Sequence, residues 1–267
     1  MQNAQVADLS RYDSNFYGDG DLAFRAARII LAEVAKYHEF TSLVDFGCGA
    51  GGWLRAAAEL IRQRWGAEPR LLGIDGPYAQ QFAVCEGAEF LFQNLQTRVQ
   101  EVGRFQIAIS MEVAEHLTPS RATSFVEDIV ASSDAVLFSA AIPGQGGDNH
   151  INEQWQSYWV QNFAAVGYEC FDVLRRALWC DELLARCPFY VGNGLLYVRR
   201  GNPLGGVLKG KGISEVQPVR GYPADVVHPG VFKTAHFEQA GPTTLISSFP
   251  RALVRAVAKR VGRQRPR

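Results

Sequence analysis

The chain has 267 residues, 47% of them hydrophobic and 20% charged, a balance that suits a packed globular body and excludes a disordered one. Basic and acidic residues number 27 each, yet the seven basic residues from Arg251 onward have no acidic neighbour after Glu238. The preceding chain is left with 20 basic against 27 acidic residues, a net of −7, which argues against a body that grips nucleic-acid phosphates.

In chain order, residues 21–37 predict an amphipathic helix with Asp21 as N-cap, burying Ala23, Ala26, Ala27, Ile30, Val34 and Tyr37 on one face. An apolar run at Ser42–Phe46 breaks into Gly47-Cys48-Gly49-Ala50-Gly51-Gly52, and a helical pattern from Trp53 to Trp65 follows. Strand-like runs then recur at Leu71–Asp75, Phe90–Leu95, Phe105–Met111 and Ala135–Ile142. Strands this apolar, alternating with helices, predict a parallel sheet covered on both faces. After the loop Pro143–Gly147 come a helix at Asn152–Val166 and a closing pair of strands at Glu169–Val173 and Phe189–Arg199. From 201 to 247 Gly and Pro rise and the core pattern fades, so this part reads as an extension. The last stretch, 248–267, reads as a basic amphipathic tail. Leu253, Val254, Val257, Ala258 and Val261 gather on one side, and Arg251, Arg255 and Lys259 on another. Such a helix can lie on an anionic membrane surface, dock on the acidic body, or stay solvated.

No apolar run approaches a membrane span of roughly eighteen residues, and Met1–Asp13 lacks the basic-then-apolar pattern of a secretory signal. A cytoplasmic location is expected, with peripheral membrane association through the tail as a further option. The five cysteines are scattered without zinc spacing, and the expectation for all of them is small apolar filler.

The segment 43–52, Leu-Val-Asp-Phe-Gly-Cys-Gly-Ala-Gly-Gly, ends a strand in glycines that allow a sharp turn and a close ligand approach. It also satisfies G-x-G-x-x-G through Gly47, Gly49 and Gly52, a weak signal that leaves a nicotinamide dinucleotide open. Asp45, just before the first glycine, suits a ligand ammonium and would repel a pyrophosphate. Asp75 ends the next strand, 30 residues on, where a carboxylate can accept both hydroxyls of a ribose.

Together with Leu72-Gly73-Ile74-Asp75 and Ser110-Met111-Glu112-Val113-Ala114-Glu115-His116-Leu117, this segment resembles the class I S-adenosylmethionine (SAM)-dependent methyltransferases over about residues 12–200. The resemblance implies an α/β Rossmann-like domain with a seven-stranded, mostly parallel sheet and a reversed last strand. It implies SAM across the carboxyl ends of the first four strands. Asp45, Gly47, Cys48 and Gly49 would then hold the methionine part, and Asp75 the ribose with Gly76 beside it. Gln93-Asn94-Leu95 occupies the place where many members carry an adenine-facing aspartate, and the Asn94 carbonyl can still accept a hydrogen bond. Met111 and Glu112 would line the pocket, and Asp13–Tyr17, Tyr17 in particular, resembles a segment that closes over the cofactor.

Methyl transfer to an alcohol is helped by a base that removes the acceptor's proton, and the loops after the fourth and fifth strands offer His116 and His150. His150 lies in Gly-Gly-Asp-Asn-His-Ile-Asn-Glu-Gln-Trp, beside aromatics that suit a hydroxylated ring. It is the expected base, and Asn152, Glu153, Trp155 and Tyr158 are expected to hold the acceptor. His116, next to Glu115, is a second base or a structural histidine. The loop looks similar to methyltransferases of sugar and cell-surface glycan assembly. The function expected is thus O-methylation of a small or glycan acceptor. Asp148, His150, Glu112 and Glu115 could collect a divalent ion, but no ligand spacing is diagnostic and no metal is assigned. The rival readings are an NAD(P)-dependent oxidoreductase and a non-catalytic SAM-binding protein.

Overall fold

The computed structural model describes residues 20–217 and 222–231. Tyr17, the other residues of the 13–17 segment and the tail 248–267 lie outside the described residues. Two helices open the described chain. α1 (Gly20–Val34) buries Ala26, Ala27, Ile30, Leu31 and Val34 completely, and it begins one residue before Asp21. Asp21 is therefore a first-turn residue, paired weakly with Arg25 across one turn, and not the N-cap. α2 (Gly52–Trp65) ends on Gly66, whose left-handed backbone returns its N–H to the Arg62 carbonyl.

Between and beyond them, seven strands form one sheet: β1 (Ser42–Phe46), β2 (Arg70–Asp75), β3 (Ala88–Phe92), β4 (Ile107–Met111), β5 (Ala135–Ser139), β6 (Tyr168–Phe171) and β7 (Leu195–Arg199). Their order is β3-β2-β1-β4-β5-β7-β6, with β7 antiparallel to both neighbours and the other pairings parallel. This is the α/β fold with a reversed last strand that the resemblance implied. The expected strand at Phe189–Arg199 is half helix. Pro188 starts α6 (Pro188–Asn193), because its fixed φ suits a first helical position, and the strand begins only at Leu195. Leu95, expected within the third strand, lies three residues past its end.

Alternation along each strand sorts the core into two layers. Leu43, Leu71, Ile109 and Leu137 point to the side covered by α1, α2 and α6. Val44, Phe46, Leu72, Ile74 and Phe138 point to the side covered by α3 (Ala122–Ser132) and α4 (Gln156–Ala165). The same period sets Asp45 on β1 and Gly73 and Asp75 on β2 towards the α1–α2 side, with Asp45 and Gly73 opposite each other in the ladder. A side chain at Gly73 would strike the Cys48 sulfur and Leu54. Four cysteines are buried, as expected of apolar filler, whereas Cys180 is exposed.

The stretch after residue 200 continues the packing. Asn202 caps the helix Pro203–Gly210, and Leu204, Leu208, Ile213, Val216 and Ala224 are buried in the two cores. Residues 222–231 bind back across the body. Asp225 accepts from the backbone and hydroxyl of Ser157 (2.7 and 2.8 Å), capping α4 where Trp155 has no acceptor to offer. The buried Arg175 donates to the Gly192 carbonyl through two nitrogens (3.0 and 2.8 Å) and to the Ala224 carbonyl (3.0 Å). No helix of the described residues is long and apolar enough to cross a membrane.

Arg175, the first residue of α5 (Arg175–Leu178), thus ties α6 and the returning segment to the chain just past β6. Arg175→Ala strands several buried acceptors and is expected to cost about 3–5 kcal/mol in urea denaturation, the range for breaking a buried charged network. A loss below about 1 kcal/mol would show that the segment is held without it.

Candidate functional site

The strand order reverses direction between β1 and β4, and a crevice opens outside their carboxyl ends, the place where open α/β sheets take ligands. A cleft of about 560 Å³ lies there, floored by Gly47, Cys48 and Gly49 and walled by Met111, Glu112 and the Gln145–Asp148 loop. α6 closes the far side with Phe189 and Tyr190. Trp53 packs its ring edge against Tyr190 at 5.5 Å, so α2 and α6 support one wall.

The turn exists because glycine allows it. Gly47 has φ +88°, and a Cβ there would sit 2.3 Å from Val113. The amides of Gly47 and Cys48 both donate to the Ile74 carbonyl (2.7 and 3.2 Å), which locks the turn to β2. Behind it, Asp75 accepts from the Gly49 amide (2.7 Å) and the Gly76 amide (2.6 Å). Burial raises the Asp75 pKa, and those amides together with Tyr78 pull against the rise. Asp75 therefore staples the glycine turn instead of facing the cleft, although each oxygen retains a second lone pair. Asp45 is 2% exposed, and its Oδ2 meets no hydrogen-bond donor among the described residues. Burial, then Asp75, drives its pKa well above the ordinary value.

After β4, Glu112 takes a left-handed backbone (φ +57°), a conformation that costs a non-glycine residue about 1–3 kcal/mol. Its carboxylate accepts from Gln145 (2.7 Å) and Asn193 (3.2 Å), and Asn193 also donates to the side-chain Oε1 of Gln145 (2.9 Å). Burial still raises the Glu112 pKa against these bonds. Glu115 is fully buried. Neither of its oxygens meets a donor in good hydrogen-bonding geometry; its own amide and that of Ala141 do no more than temper a pKa driven far up by burial and by Glu112.

The loop after β5 folds around Glu153. This carboxylate accepts from the Gly144 amide (2.7 Å) and the Gly146 amide (3.0 Å), and its Oε1 lies 3.1 Å from His150 Nδ1. The His150 ring lies against Gly147, where a Cβ would come within 2.4 Å of Nε2. His116 stands edge-on to His150, ring centres 4.9 Å apart. Burial, then His150, lowers the His116 pKa to about 4, so its ring is neutral near pH 7.

The structure thus brings Gly47, Cys48, Gly49, Met111, Glu112, His116 and His150 to one cleft. Asp45, Asp75 and Gly76 sit behind the glycine turn, outside the lining. Gln93, Asn94 and Leu95 occupy the loop past β3, also outside it. Gln93 bonds the Arg98 carbonyl, Asn94 accepts from the Gln96 amide in a local turn, and Leu95 is core. The four residues expected to hold the acceptor do not line the cleft either. Asn152 is buried with its amide on the Ala114 carbonyl, and Glu153 is occupied by the loop. Trp155 is exposed, and Tyr158 packs on Trp159. Gln145, Asn193 and Tyr190 were missed; the Cys187-Pro188 helix start was the available signal for the last two.

No protein-family model matches the chain, and no curated protein matches it. Among solved structures, it is similar to a candidate O-methyltransferase from Nostoc punctiforme, at TM-score 0.54 and 9% identity over 74% of this chain and 63% of that one. It is also similar to the methyltransferase domain of bacterial CtHen1 (TM-score 0.49, 18% identity, 67% and 98% covered). A third likeness is to magnesium protoporphyrin IX methyltransferase from Synechocystis (0.44, 16%, 74% and 90%). The Nostoc likeness and the strand order agree on a Rossmann-like class I methyltransferase fold.

Because folding raises the Asp45 pKa, the ionised carboxylate costs stability above the folded pKa, and the cost vanishes as pH falls towards the unfolded value near about 4. Ligand-free Asp45→Asn is therefore expected to melt above wild type at pH 8, with the gain fading towards pH 4. A melting difference independent of pH would contradict the placement of this charge.

Proposed function

We propose that the chain transfers a methyl group from SAM to a hydroxyl oxygen of a small, sugar-like acceptor, with His150 taking the acceptor's proton. The observation that carries this reading is His150 on the cleft wall, held from behind by Glu153 and facing a glycine turn backed by buried carboxylates. SAM brings an ammonium and a sulfonium, and it supplies an electrophilic methyl. The residues fit such a ligand. The glycine turn leaves room for close approach, and Asp45 holds a buried oxygen that lacks a donor. A dinucleotide pyrophosphate would meet Glu112, Glu115 and Asp148 in the cleft lining, with only Arg186 and the two histidines to offset them among the cleft's described residues.

The choice between the histidines follows from acidity. A base whose conjugate acid titrates near 4 accepts a proton poorly at neutral pH, which sets His116 aside. His150 has a carboxylate on Nδ1 that fixes its ring and steadies the positive charge it gains. In the transfer, the acceptor oxygen attacks the methyl carbon in line, the carbon–sulfur bond breaks, and the proton passes to His150. S-adenosylhomocysteine is the other product. Trp155, exposed at the start of α4, would stack against an acceptor that extends beyond the cleft. The aromatic and polar composition of the 148–158 loop supports a glycan or similarly hydroxylated acceptor, and the basic tail would bring the protein to a lipid-linked one.

Single-turnover methylation of a panel of hydroxylated acceptors tests the reading. His150→Ala is expected to lower the rate at least ~100-fold while SAM affinity shifts less than about threefold. Glu153→Gln should fall in between and move the pH profile. Unchanged turnover in His150→Ala would remove this residue from the chemistry.

A further inference from the structure

We propose that Glu115, His116 and His150 form a binding site for one divalent transition-metal cation on the wall of the cleft. One potential ligand atom from each residue lies within 4.8 Å of the other two. Atoms sharing a metal at about 2.0–2.2 Å stand roughly 3–4 Å apart, so small side-chain adjustments close the site. Nearness alone would mean little. The second observation is Glu115, a fully buried carboxylate whose two oxygens have no hydrogen-bond partner of good geometry among the described residues. Such a group is costly to keep unless something cationic meets it.

The parts around the three residues are already fixed. The Glu115 carbonyl accepts from the amides of Ile151 and Asn152 (2.9 and 3.0 Å), which pins the His150 loop against the Glu115–His116 turn. Glu153 beside His150 Nδ1 is the carboxylate–histidine arrangement that orients a ligating imidazole. Glu112, by contrast, is spent on Gln145 and Asn193. Two imidazoles and one carboxylate favour zinc, manganese, iron or cobalt over magnesium or calcium, which take oxygen ligands. Three protein ligands leave positions open towards the cleft, where an acceptor hydroxyl would be polarised. The site's use rests on the methyl-transfer reading and changes it at one residue: with the cation bound, His150 serves as ligand, and the polarised hydroxyl would release its proton to solvent.

Co²⁺ titration of the EDTA-treated full chain, followed by visible absorption, tests the site, with Mg²⁺ in excess as comparator. Expected are one Co²⁺ per chain, ligand-field bands without a sulfur-to-cobalt charge-transfer band, and no displacement by Mg²⁺. Glu115→Gln and His150→Ala, each confirmed folded by circular dichroism, should weaken uptake at least ~10-fold. His150 sits on a loop, so its variant decides the matter if Glu115→Gln does not fold. No Co²⁺ uptake by folded wild type, a thiolate band, displacement by Mg²⁺, or uptake unchanged in the folded variants would overturn the proposal. S-adenosylhomocysteine binding to the metal-free chain reads the methyl-transfer claim separately, so either can fail alone.

Discussion

Three carboxyl groups, Asp45, Asp75 and Glu115, are buried where β1, β2 and β4 end, a fourth, Glu112, is half-buried on the cleft wall, and none of the four forms an ion pair with a lysine or arginine among the described residues. Asp45, Asp75, Glu112 and Glu115 are all pushed towards the protonated form, chiefly by loss of water. A protein carries such a cost where a ligand relieves it, since binding to the native state alone shifts the folding equilibrium. Here the charge sought is positive. A cofactor with an ammonium and a sulfonium, or a metal ion, answers it, and a pyrophosphate does not.

The scaffold distributes these acids by simple rules. Strand alternation sends Asp45 and Asp75 to the α1–α2 side, and the glycine turn folds over them, its Gly49 amide donating to Asp75. A strained backbone at Glu112 turns the chain out of β4 at the cleft rim, compensated by Gln145 and Asn193 from two other elements. Glu153 gathers the loop after β5, and Arg175 with Asp225 ties residues 222–231 over α4 and α6. The cleft is thus held by long-range polar contacts around a rigid sheet, which is how a site keeps its geometry while its loops stay exposed to ligand.

Much of the sheet was legible because buried parallel strands are apolar throughout and glycine clusters punctuate them. The failures are equally physical. Apolar residues 189–193 suit a strand or a short helix alike, and Pro188 was the deciding signal. The residues after 200 are rich in Gly and Pro, yet Arg175 and the cores hold those described by contacts distant in sequence. At the site, residue type and neighbourhood identified the cleft-wall histidines, Met111 and the glycine turn. They could not reveal that Glu153 would be consumed by three donors within its own loop, or that Asp75 would turn inward to two amides. Side-chain direction in a loop is set by tertiary contacts that no spacing encodes.

The cleft is expected to accept a cationic nucleoside cofactor. Calorimetric titration of the purified chain with S-adenosylhomocysteine, with NAD as comparison ligand, tests it most directly. Saturable binding of the homocysteine nucleoside at one site per chain is expected, with no heat from NAD. Binding of NAD, or of neither ligand, would contradict it and leave the fold without the function.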